Sequence, residues 1–202
     1  ERPPFTHYDE LMAFRMRNIL LVASLYDSYI LAEDGQLTEL ILDRYVDLNL
    51  RFAPRVQRVS TGTAALQAIE KTNFDLIITM SHLADMPVAA FGQRVKEDHP
   101  QLPIIQLHSH LSPELGRSRT PRAGIDYSFL WTGDATILLA VIKLLEDRVN
   151  ATRDTLYGVH VIILVEDSIR FTSSYLPIIY TELVKQTQSL MAEGINSAHR
   201  LL

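Results

Sequence analysis

The chain has 202 residues and a formal net charge of −5, with 19 Lys+Arg against 24 Asp+Glu, a balance that argues against a nucleic-acid groove or an anionic membrane as the main partner. It contains no cysteine, which excludes disulfides, thiolate zinc sites and cysteine nucleophiles and suits a reducing, cytoplasmic setting. No apolar run approaches the roughly 20 residues of a membrane span, the amino end has no signal-peptide core, and a mass of 22.9 kDa fits one full domain and a remainder.

Short β-branched runs alternate with longer helical patterns, which predicts crossover units on a parallel sheet. Residues 1–17 form a helical extension, because Thr6 and Asp9 resemble a capping box and Leu11, Phe14 and Ile19 share a side. A buried strand follows at Asn18–Ala23. The amphipathic pattern of Ser28–Asp47 predicts a helix, and Arg55–Ser60 a more polar strand. Gly62–Lys71 is helical, Phe74–Met80 a strand and Val88–Asp98 a helix, closed off by Pro100 and Pro103 before the strand Ile104–His108.

The polar stretch Ser112–Ala123 carries two prolines and Gly116, so its helix is the weakest in pattern. Tyr127–Trp131 is the fifth strand. After Gly133 and Asp134 a helix begins in which Ile137, Val141, Leu144 and Leu145 form the inward stripe and Lys143, Glu146, Asp147 and Arg148 the wet one. Asn150–Gly158 reads as a linker, followed by a strand at Val159–Val165 and a long helix toward Leu202, interrupted early by Pro177. A strand as apolar as Val159–Val165 is expected to be covered.

Several strings in this order resemble the receiver domains of response regulators. Phe74-Asp75-Leu76-Ile77-Ile78 with Leu83 and Met86 is similar to the third strand and its loop, Leu102-Pro103-Ile104-Ile105 to the fourth, and Ala123-Gly124-Ile125-Asp126 to the turn into the fifth. The resemblance implies an α/β fold with a doubly wound five-stranded parallel sheet, flavodoxin-like and CheY-like, over residues 18–153. Residues 154–202 then supply an extra strand and long helix, the opening of a second receiver, in which Val161-Ile162-Ile163-Leu164-Val165 leads into Glu166-Asp167-Ser168. Because a second receiver requires much more chain than Leu202 allows, the sequence is expected to be a piece of a longer protein.

The resemblance also locates a phosphoacceptor pocket, and the residues there are the wrong ones. Two carboxylates are expected after strand one, where Ala23 and Ser24 stand. The acceptor aspartate is replaced by Met80, the hydroxyl residue after strand four by His108 and the lysine after strand five by Trp131. Phosphoryl transfer to a carboxylate requires that carboxylate and acidic ligands for magnesium. The first unit is therefore expected to be a pseudo-receiver with no cofactor and no catalysis. In the second unit, Glu166 and Asp167 would hold Mg²⁺ only within a complete receiver; by themselves they are acids favoured at a helix amino terminus.

Longer strings resemble the amino-terminal regulatory region of bacterial proteins related to phosphoenolpyruvate synthase and pyruvate phosphate dikinase. They are Phe5-Thr6-His7-Tyr8-Asp9-Glu10-Leu11, Asn18-Ile19-Leu20-Leu21-Val22, Ser24-Leu25-Tyr26-Asp27-Ser28, Glu33-Asp34-Gly35-Gln36-Leu37 and Tyr180-Thr181-Glu182-Leu183. This implies a larger phosphotransfer protein whose other domains are the partners.

Other features carry weaker readings. His108 and His110 are spaced to point one way as metal ligands, without a third ligand. His82 or Ser81 offers an unusual phosphoacceptor. Arg117, Arg119 and Arg122 form a basic loop suited to an anion or acidic partner, although a solvated loop is the plainer reading. Neither a lysine-bearing phosphate loop nor a dinucleotide fingerprint occurs. A small-ligand sensor would use the carboxyl edge of the sheet, lined by Ser24, Asp27, Met80, Ser81, His82, His108, Ser109 and Trp131. The terminal helix offers a seam of Leu176, Ile179, Leu183, Leu190 and Ile195 that packs on a second receiver or makes a homodimer.

Overall fold

The computed structural model of the chain describes residues 12–24, 37–109 and 123–200. Five parallel strands form one sheet: β1 (Asn18–Val22), β2 (Arg55–Val59), β3 (Leu76–Met80), β4 (Ile104–His108) and β5 (Tyr127–Leu130), in the order β2-β1-β3-β4-β5. The helices are α1 (Leu37–Asp47), α2 (Gly62–Lys71), α3 (Val88–Asp98), α4 (Thr136–Leu156) and α5 (Ile169–Arg200). The architecture is the expected doubly wound one, with chain direction reversing its strand order beside β1.

Strand composition explains the layering. The residues of β1, β3 and β4 are almost all buried, as parallel strands covered on both faces must be. Alternate residues then divide between two cores. Ile19, Leu21, Leu76, Ile78, Ile105 and Leu107 join α1, α4 and α5. Leu20, Val22, Ile77 and Ile104 join α2 and α3. On the second face α3 approaches the turn before β5 so closely that a Cβ on Gly124, at φ +78°, would lie 2.2 Å from the carbonyl carbon of Gly92. Only glycine fits that crossing.

Helix α1 ends as its sequence permits. Asn49 adopts φ +49°, Leu50 N–H donates to the Tyr45 carbonyl at 2.7 Å, and Asn49 N–H to Val46 at 2.9 Å. These two bonds satisfy carbonyls that a helix end leaves open.

The structure corrects four expectations. First, residues 12–17 are not helical. Asn150 binds both the N–H and the carbonyl of Phe14, at 2.8 and 2.9 Å, and Glu146 Oε1 accepts the Met16 N–H at 2.8 Å. The segment is thus held against α4, and the remainder of the predicted helix, up to Leu11, lies outside the described residues. So do Ser28–Gln36 of the second predicted helix and residues 110–122.

Second, of the four residues expected on the wet stripe of α4 only Arg148 is exposed; Asp147 is half-buried, and the other two are inside. Lys143 and Glu146 are 1% exposed and form an ion pair of 2.9 Å, with Lys143 Nζ also 5.3 Å from the Tyr45 ring. Third, the helix does not stop at a linker; it runs on to Leu156, because Asn150 is a buried member of the contact with Phe14.

Fourth, Val159–Val165 forms no strand and is not covered. Helix α5 lies at the β5 edge of the sheet, where its Ser173 hydroxyl accepts the Leu130 N–H at 2.8 Å. Helix α5 buries Leu176, Tyr180 and Val184 in the core shared with α4. It continues through Pro177 as one element of 32 residues.

Two predictions follow from α4. Truncating Glu146→Ala leaves the Lys143 ammonium buried without its carboxylate and should cost about 3–5 kcal/mol in urea unfolding. The double variant Lys143→Met, Glu146→Gln, which keeps an acceptor for Met16, should lose much less. Asp147 titrates above its ordinary 3.8, raised by burial and only partly offset by the hydroxyl of Tyr180, which donates to it at 2.8 Å, and by Lys143. The folded chain therefore holds this proton more tightly than the unfolded chain. The contribution of this group to stability should rise as pH falls from neutral toward 3.8, and Asp147→Asn should remove that rise in melting curves taken across the window.

Candidate functional site

The carboxyl edge of the sheet gathers the residues that the sequence placed there. Strand β1 delivers Ala23, whose N–H donates to the Val59 carbonyl at 3.0 Å, and then half-buried Ser24. Strand β3 ends in Met80 and β4 in His108, while Trp131 follows β5 and donates its backbone N–H to the His108 carbonyl at 2.8 Å. Exposure decides what this edge can do: Ala23 is 0%, Met80 1% and Trp131 4% exposed. All three belong to the core cluster under α4 and α5. Apolar side chains thus fill the edge.

This donor set does not fit magnesium. The ion takes oxygen ligands in near-octahedral array, and Ala23, Met80 and Trp131 offer none. The Trp131 indole N–H has no partner among the described residues, so the position formally expected to carry a mobile cation carries a buried ring.

Ser81 and His108 are brought together. The Ser81 hydroxyl donates to the Leu107 carbonyl at 3.0 Å and lies 2.9 Å from His108 Nδ1. With the hydroxyl proton on that carbonyl, Nδ1 is the donor to Ser81. In that tautomer the ring holds the serine in place. His82, the other unusual acceptor considered, is exposed. His110, Asp27, Arg117, Arg119 and Arg122 lie outside the described residues, and among the described residues no group of three His, Asp or Glu side chains could hold a metal ion.

One polar contact at this edge was not legible in the sequence. Asp85, in the loop after β3, accepts N–H bonds from Gly62 and Thr63 at 2.8 Å each and the Thr63 hydroxyl at 2.7 Å. Burial alone would raise its pKa, but these bonds outweigh it and hold the carboxyl below the usual 3.8. The amino terminus of α2, also capped by Thr61, is thereby occupied by the chain's own carboxylate. A carboxylate preceding Met86 and Pro87 has no local pattern that assigns it to a helix two elements earlier.

Glu166 and Asp167 stand just before α5. Glu166 is half-buried and its Oε1 accepts the Ser168 N–H at 2.9 Å, while Asp167 is exposed. Glu166 therefore serves the helix end here. At the opposite, amino edge of the sheet a groove of about 860 Å³ is lined by Phe14, Asp75, Lys96, His99, Asp126 and Arg148, among others. This concavity lies at the edge away from the one considered for a ligand sensor.

Strand order, helix placement and the position of this edge define the fold of CheY-like receiver domains. Among solved structures, the signal receiver domain of a Luxo repressor protein from Vibrio parahaemolyticus is similar at a TM-score of 0.52 and 22% identity, over 73% of this chain and 100% of that one. A two-component response regulator from Clostridium difficile is similar at a TM-score of 0.51 and 16% identity, over 66% of this chain and 98% of that one. No family model and no curated protein matches the chain.

Introducing the acceptor alone should fail. Met80→Asp removes a core side chain, at about 2–5 kcal/mol, and adds a buried charge without partners. We expect a lower urea midpoint that added Mg²⁺ does not restore.

Proposed function

We propose that this chain is a regulatory module that works without phosphorylation, acting through protein docking. The observation that supports it is the filling of the carboxyl edge by Ala23, Met80 and Trp131. In a receiver, switching depends on charge arriving at that edge and being compensated there by magnesium and a cation. Among the described residues of this edge an arriving phosphoryl group would find neither a nucleophilic carboxylate nor an ion site, and would have to displace packed apolar side chains.

A module of this kind keeps the fold for its surfaces. Resemblance to the regulatory region of phosphoenolpyruvate synthase-related proteins supports a setting in a larger phosphotransfer protein, with the partner among its other domains. Mg²⁺ at Glu166 and Asp167 would require a third oxygen ligand from outside the described residues. The absence of a long apolar helix among the described residues leaves membrane insertion through these helices unsupported.

The test is incubation of the chain with Mg²⁺ and beryllofluoride, and separately with a small phosphodonor. No mass increase and no change in melting temperature or amide spectra at residues 18–153 is expected. A phosphorylated residue, or a Mg²⁺-dependent stabilisation localised beside Ala23 and Met80, would overturn the proposal.

A further inference from the structure

The segment between α4 and α5 has the composition of a buried strand and none of its partners. Ile163 is 81% and Val165 90% exposed, and Val159, Val161, Ile162 and Leu164 are also exposed. Among the described residues, no backbone N–H or carbonyl from His160 to Val165 has a hydrogen-bond partner. Such a segment is a template for strand addition. The β5 edge of its own sheet is closed to it by Ser173 of α5.

Its sequence is self-complementary. Placed antiparallel against itself about Ile163, it sets Ile162 opposite Leu164, Val161 opposite Val165 and His160 opposite Glu166. Side chains of matched size meet along the middle, and a basic side chain meets an acidic one at both ends. A two-fold axis demands this kind of self-matching surface, and opposite-charge cross-strand pairs stabilise a register while like charges disfavour it.

A two-stranded ribbon also needs apolar cover. Helix α5 carries it on the side not used by the sheet domain. Its buried stripe is Ser173, Leu176, Tyr180 and Val184. Phe171, Tyr175 and Ile178, spaced on the opposite side within the first three turns, are exposed, with the two rings stacked at 5.9 Å.

We propose that residues 160–166 of two copies of this chain pair as antiparallel strands centred on Ile163, making the module a two-fold dimer. This deepens the docking reading above and rests on it, by adding a second copy as a partner. The dimer joins two sheet domains through their α4–α5 connections and leaves both carboxyl edges as they are.

Sedimentation velocity on the full chain, with amide exchange, tests it. A dimer with slowed exchange at residues 160–165 is expected. Ile163→Pro removes a ladder donor in a segment that makes no bond in the single copy, so it should yield monomer with an unchanged far-UV spectrum. His160→Glu should weaken association by about tenfold, since two like-charge pairs result. Combining it with Glu166→His should restore association, because the swapped ends are again complementary.

A wild-type monomer at high micromolar concentration overturns the pairing, as does a dimer indifferent to Ile163→Pro and to the charge swap. Either result leaves the phosphate-independent reading standing. Dimerisation that appears only with beryllofluoride would overturn that reading instead.

Discussion

Helix α4 has almost no wet circumference over its first three turns, and the rest of the molecule is arranged around that burial. Sheet, α1, α5 and the segment before β1 surround it, so its polar side chains must find partners inside. Lys143 and Glu146 pair with each other, Glu146 also holds the Met16 amide, and Asn150 holds both backbone groups of Phe14. A buried charge left alone costs several kcal/mol, which is why these contacts fix the path of residues 12–17 and dock α5 at a defined depth through Asp147 and Tyr180.

Docking of α5 has a second effect, at the margin of the sheet. An edge strand presents free backbone groups, and α5 covers one margin with its own side chains, Ser173 taking the Leu130 amide. The strand-forming run Val159–Val165 lies outside this sheet, with its β-branched residues exposed.

At the carboxyl edge the same core reaches up to the surface. Ala23, Met80 and Trp131 are continuous with the cluster beneath α4, so at these three positions the edge is packed with apolar side chains. Comparison with receiver structures speaks to the fold alone, at identities of 22% and 16%. The chemistry of the edge is read from its own residues: a thioether, a methyl group and an indole supply no ligand for a hard cation.

The sequence by itself determined the strand positions and the parallel sheet, because period and β-branched content are local properties; β1 through β5 lie within two residues of the expected bounds. It also determined which side chains reach the carboxyl edge, since a strand's last residue is placed by the chain direction alone. It did not determine that Lys143 and Glu146 turn inward, because a charged pair at i and i+3 has the same pattern whether it faces water or a partner. Nor could it show that Asp85 caps α2 or that Val159–Val165 finds no strand partner among the described residues of its own chain. Those outcomes depend on which groups remain unsatisfied once distant elements meet, and hydrogen-bond and charge compensation across more than twenty residues is decided only when the tertiary structure brings them together.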